Sequence, residues 1–137
     1  MKIVIDTNVI VSALINTGGI PAKILSLVLS GKTIILYDNR IVFEYTDVLS
    51  REKFGFNPEV IDDMIDFLKH EGEYINAVHY GAKFHDETDK KFYEVYKSGR
   101  AHFLITGNKK HFPRDNKIII PKDFLEIYDG VTSASGN

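Results

Sequence analysis

Residues 2–14 read KIVIDTNVIVSAL, and the succession of residue types in that stretch decides the fold class. KIVI is a short apolar run without polar alternation, which suits a strand buried on both faces of a parallel sheet. An aspartate, Asp6, follows at once. Further Ile- and Val-rich runs lie at 33–37, 102–105 and 117–120, with a weaker strand candidate at 73–77. Segments with helical spacing occur at 20–30, 40–49, 57–70, 90–98 and 121–128. This alternation predicts an α/β layer fold joined by right-handed crossovers. Gly31 is placed to end one helix, Pro58 to open the next at its first turn, and Gly99 to close a third.

The chain has 137 residues, 44% of them hydrophobic, which is the size of one ordinary domain with a real core. That domain is expected over residues 1–130, followed by a small, polar tail at 131–137 that should fray. There are no cysteines, so disulfides, thiolate zinc sites and cysteine nucleophiles are excluded. No apolar run reaches bilayer-spanning length, and Met1 leads straight into the strand without a signal-like core. A cytoplasmic protein with no membrane partner is expected.

The formal net charge of −2 does not advertise a nucleic-acid binder, but its distribution is uneven. Lys and Arg number 7 against 11 acids over residues 1–82, then 9 against 5 over 83–117, and 1 against 3 beyond. Lys90, Lys91, Lys109 and Lys110 fall in the basic segment, where they can attract a phosphate backbone or simply form a solvated surface.

In a parallel sheet, ligands gather beyond the carboxyl ends of the strands, near a topological switch point. Asp6 sits at such an end, where it can face the mouth of the sheet or cap the following helix. Glu44 neighbours Ile41 and Val48 on the helix at 40–49, at the border of its apolar stripe. The acidic run HDETDKK at 85–91 supplies Asp86, with an N-cap reading, and Asp89, which can join Asp6 around a cation. Strand 102–105 leads through Thr106 and Gly107 to Asn108, whose plainer reading is a turn. Oxygen ligands converging from these places favour Mg²⁺ or Mn²⁺ over zinc, and the chemistry then available is phosphodiester cleavage.

Taken together, IVIDTNVIVSAL, EYTDVLS, HDETDKKFYEV and AHFLITGNKKHF, in that order and spacing, resemble the PIN-domain family over residues 1 to about 128, and in particular its toxin components of toxin–antitoxin pairs. The resemblance implies a three-layer α/β/α sandwich around a five-stranded parallel sheet, Mg²⁺- or Mn²⁺-dependent cleavage of single-stranded RNA, frequent homodimers and a separate antitoxin protein. It assigns Asp6, Glu44 and Asp89 to the acidic catalytic and metal-binding positions, Asp86 to an additional acid, and Asn8 and Thr106 to supporting polar positions. Asn108 stands where many members carry Asp, so it offers a ligating oxygen without charge.

The five histidines, His70, His79, His85, His102 and His111, lack any zinc-ligand spacing and are expected in surface or hydrogen-bonded roles. No phosphate-binding glycine loop or nucleophile elbow is present. Two alternatives remain at this level. One is an aspartate-based phosphoryl-transfer domain, although a dehalogenase-like phosphatase wants a second Asp where Asn8 stands. The other is a nuclease-shaped RNA- or partner-binding module inactivated at Asn108.

Overall fold

The computed structural model describes residues 1–81, 84 and 86–135. Its five strands are β1 (Lys2–Ile5), β2 (Ile34–Tyr37), β3 (Glu73–Tyr74), β4 (Phe103–Ile105) and β5 (Ile118–Ile119). All pair in parallel, in the order β3-β2-β1-β4-β5. Six helices connect and follow them: α1 (Thr7–Ile15), α2 (Ile20–Leu29), α3 (Asn39–Leu49), α4 (Pro58–Glu71), α5 (Lys90–Ser98) and α6 (Pro121–Ser135). The fold is the expected α/β/α sandwich.

Successive residues of a strand point to opposite faces, yet Ile3, Val4 and Ile5 of β1 are all fully buried. Both faces of the central strand are therefore covered by helices, which explains why KIVI carries no alternation. Tyr45, Phe92 and Phe124 are the largest fully buried side chains of the core.

Helix boundaries follow ordinary chemistry. Gly31, just past α2, has φ of 77°, a conformation that favours glycine. Pro58 opens α4, capped by the Asn57 side chain. Gly72 has a packing role that sequence reading missed: a Cβ there would lie 2.4 Å from the Leu68 carbonyl oxygen and 2.8 Å from that of Ile35. Only a bare backbone fits as α4 turns into β3.

Two strands are shorter than their apolar runs suggest, because β3 and β5 are edge strands with one neighbour each. The last helix, in contrast, runs past the expected stop at 128 to Ser135. Thr132 Oγ1 donates to the carbonyls of Tyr128 and Asp129 within this extension, while residues 131–134 are exposed. Gly136 and Asn137 of the expected tail lie outside the described residues. No single described helix is long and apolar enough to cross a membrane.

The chain leaves β1 toward β2 on one side and returns later to β4 on the other. The switch point thus lies between β1 and β4. Asp6 and Thr106, the residues immediately after those two strands, stand side by side there.

Candidate active site

Asp6 occupies the N-cap position of α1, but its side chain does not cap the helix. The carboxylate is only 7% exposed and accepts a hydrogen bond from Thr106 Oγ1 at 2.8 Å. Burial pushes its pKa up, the Thr106 hydrogen bond opposes that, and the charges of Asp89 and Glu44 add to it; the result is about 6. The three carboxylates share one neighbourhood: Glu44 accepts from Thr7, next to Asp6, and its partner Lys91 also donates to the carbonyl of Thr88, next to Asp89.

Glu44 is brought there by its own helix. Tyr45, the next residue and wholly buried, donates its hydroxyl to the carbonyl of Ile5, the residue before Asp6. Glu44 then accepts from Thr7 Oγ1 through Oε2 and pairs with Lys91 through Oε1 at 2.7 Å. Consecutive residues on α3 thus hold Ile5, the last residue of β1, and Thr7, the first of α1, on either side of Asp6.

Asp89 lies in the short 3-10 turn Glu87–Asp89 that leads into α5. Its pKa is raised, first by burial and then by Asp86, with Glu44 adding and His111 and Lys91 opposing. Asp89 Oδ2 is buried without a hydrogen-bond partner. His111 Nδ1 stands 3.4 Å from that oxygen, which is long for a hydrogen bond. Asp86 is exposed and caps the turn at the Thr88 amide; the Thr88 side chain first, and then that amide, hold its carboxyl below the usual range.

The amide positions frame the same mouth. Asn8 Oδ1 accepts from the Gly107 amide at 3.2 Å, and the Asn108 amide donates to Thr106 Oγ1 at 3.0 Å. The Asn108 side chain turns to His111 Nε2, 2.9 Å away, so His111 links Asn108 to Asp89. Of the other histidines, His79 contacts Glu94 and the exposed His70 lies near Glu71. His102 accepts from the Lys2 amide, whereas His85 lies outside the described residues.

The four lysines separate into two kinds. Lys109 and Lys110 are exposed and line a groove of about 680 Å³ with Arg114. Lys90 lies 3.9 Å from Glu87. Lys91 is only 12% exposed on its side chain, and besides its pair with Glu44 it donates to the Thr88 carbonyl. Its ammonium also stands 5.1 Å from the centre of the Phe92 ring. It is built into the site rather than offered to solvent.

Sequence reading missed Glu94, which is 1% exposed on α5. Arg40 Nη1 donates to its Oε1 at 2.7 Å, and His79 Nδ1 and the Tyr80 amide meet its Oε2 at 2.8 and 3.2 Å. Burial alone would raise its pKa, but these hydrogen bonds outweigh burial and hold it below the usual range. Arg40 also grips Asp38, whose other oxygen caps α3 at the Ile41 amide. The start of the helix carrying Glu44 is thereby tied to the helix that follows Asp89. The available signal was a Glu set among Phe92, Val95 and Tyr96, the buried face of α5.

Among the described residues, no three His, Asp or Glu side chains lie close enough to enclose a metal ion as they stand. Glu44 is turned onto Thr7 and Lys91. Asp6 and Asp89 nevertheless suit a hard cation: one is a buried carboxylate with a raised pKa and the other holds a buried oxygen without a hydrogen-bond partner, with the imidazole of His111 as the one nitrogen group described beside it. Mg²⁺ commonly takes only one or two carboxylates and fills its remaining positions with water and phosphate.

A PIN-domain family model matches residues 2–110. The chain belongs to the PIN-domain family. The uncharacterized protein MJ1680 of Methanocaldococcus jannaschii is similar to it, 32% identical over 146 aligned positions that span 94% of this chain and 92% of that one. PIN domains are usually nucleases and generally use Mg²⁺ or Mn²⁺, so membership supports a hydrolase acting on nucleic acid. It sets aside the aspartate-based phosphoryl-transfer alternative.

Proposed function

We propose that this PIN domain is a Mg²⁺- or Mn²⁺-dependent endoribonuclease for single-stranded RNA and the toxin of a toxin–antitoxin pair. The observation that carries the nuclease reading is the gathering of Asp6, Glu44 and Asp89 near the switch point, through Thr106 on Asp6, Thr7 on Glu44, and Lys91 joining Glu44 to the Thr88 carbonyl beside Asp89. Asp6 and Asp89 would hold the cation, with Asp86 and Asn108 as outer oxygen donors. When bound, the cation supplies a Lewis acid that activates water and stabilises charge on phosphate oxygens.

The remaining work falls to the chain. Thr106 fixes Asp6 Oδ2, and through its own amide partner it fixes the loop at Asn108. Thr7 and Lys91 hold the two oxygens of Glu44, leaving a carboxylate in position to take a proton from an attacking water. Lys109, Lys110 and Lys90 draw the RNA backbone toward the mouth, and Asn8 braces Gly107 beside it.

The toxin role and a homodimer rest on the family resemblance. An adjacent reading frame encoding a small partner, and growth arrest on expression that this partner relieves, would support the toxin role. Cleavage of one labelled RNA as a single strand and as a duplex, with Mg²⁺ and with chelator, tests the nuclease. Cleavage of the single strand alone, abolished by chelator, is expected. Chelator-resistant binding without cleavage would instead favour the inactive binding module.

A further inference from the structure

Beside Glu44 lies a groove of about 680 Å³ whose lining includes Phe43, Glu44, Asp47, Arg51, Thr88 and Lys91. Its volume is that of a small-ligand site. It opens directly onto one of the three clustered carboxylates. Phe43 is 74% exposed, on the side of α3 away from the buried Ile41, Tyr45 and Leu49. The same ring also lines a neighbouring depression with Thr46 and Ser50, so it stands as a ridge between two hollows. Among the described residues no ring stacks on it, so it offers a flat apolar surface to water beside a polar site.

The charges around it select the partner. Arg40, Phe43 and Asp47 follow one another at intervals of three or four residues along the outer face of α3, and Arg51, in extended backbone just past the end of that helix, lines the same groove. Arg40 is committed to Asp38 and Glu94, and Lys91 to Glu44. Among the described residues the Arg51 side chain pairs with Asp47 alone, at 3.4 Å, with both side chains half exposed or more. Such a surface pair is weak, and its guanidinium is free to turn to a phosphate.

We propose that this groove is a base-stacking subsite: one unpaired base of the RNA lies on Phe43, and Arg51 meets an adjacent phosphate. The proposal rests on the RNA reading above and deepens it. Every base has a π face, so a single aromatic platform grips a strand without reading its sequence. A duplex cannot present a base to it without unpairing, which gives the site a preference for single strands independent of the carboxylates.

The chain contains no tryptophan, so Phe43→Trp introduces a single indole at the platform. In an Asp6→Asn background, which keeps the RNA intact, titration with oligouridylate should quench that indole saturably. An oligomer with an abasic position at the stacked nucleotide should bind the parent less well. Phe43→Ala should weaken oligouridylate binding at least about fivefold, the low end of what removing one base–aromatic stack costs, and should erase the penalty of the abasic position. In cleavage assays it should raise KM by a larger factor than it lowers kcat.

If labelled oligouridylate binds by anisotropy while the indole stays unquenched and Phe43→Ala binds like the parent, the subsite is overturned and the nuclease reading stands. Absence of RNA binding by the parent itself would overturn both.

Discussion

The Thr106 hydroxyl donates to Asp6 Oδ2 across 2.8 Å, joining the residue after β4 to the residue after β1 at the point where the sheet changes direction. This contact holds a buried carboxylate in one orientation at the mouth of the fold. Thr106 is itself fully buried and accepts the Asn108 amide through the same hydroxyl.

Replacing Thr106 by Val keeps the side-chain volume and removes both hydrogen bonds. A hydrogen bond to a charged group contributes more than a neutral one, so unfolding by denaturant at pH 7 should show a loss of about 2 kcal/mol. The pKa of Asp6 should rise above its value of about 6, which carboxyl ¹³C titration reads directly.

Asp6→Asn should stabilise the metal-free protein at neutral pH. The folded-state pKa of about 6, raised chiefly by burial, lies above the ordinary 3.8, so the folded protein binds this proton more tightly than the unfolded chain does. Stability from this group is fully present below about pH 4 and is lost as pH rises through about 6. The Asn variant has no such loss and should exceed the parent by on the order of 1–3 kcal/mol at pH 7. The gap should close below pH 4 in thermal unfolding with chelator present. Added Mg²⁺ should raise the Tm of the parent but not of the variant.

The lysines should divide by readout. Lys91→Met frees Glu44 and should lower kcat by about tenfold or more, as loss of a charge-positioning contact does, with little change in the salt dependence of RNA binding. Lys109→Glu and Lys110→Glu should weaken RNA binding and flatten its dependence on salt concentration. An unchanged slope would leave these two lysines as solvated surface.

Asn108→Asp should lower the Mn²⁺ concentration needed for half-maximal cleavage by supplying the missing charge beside Asp89. An unmoved metal requirement would make residue 108 a turn residue.

KIVI and its sister runs carried the sheet because buried parallel strands need no alternation, and Asp6 was visible because it ends the first of them. The site's wiring was not visible. The grip of Tyr45 on Ile5 spans 40 positions and that of Arg40 on Glu94 spans 54, and neither leaves a local pattern. Lys91 read as a surface cation because sequence shows charge but not burial. The helical run past 128 was obscured by its small polar residues, whose modest helix preference is offset by continuity with a packed helix.

The most direct test is the rate of cleavage of one single-stranded RNA as a function of Mn²⁺ concentration for the parent, Asp6→Asn and Asp89→Asn, each checked for its fold by circular dichroism. The parent should saturate with metal, Asp6→Asn should be inactive at every concentration, and Asp89→Asn should need far more Mn²⁺ for any residual rate. Equal metal curves for all three proteins would contradict the assignment of these carboxylates to the catalytic centre.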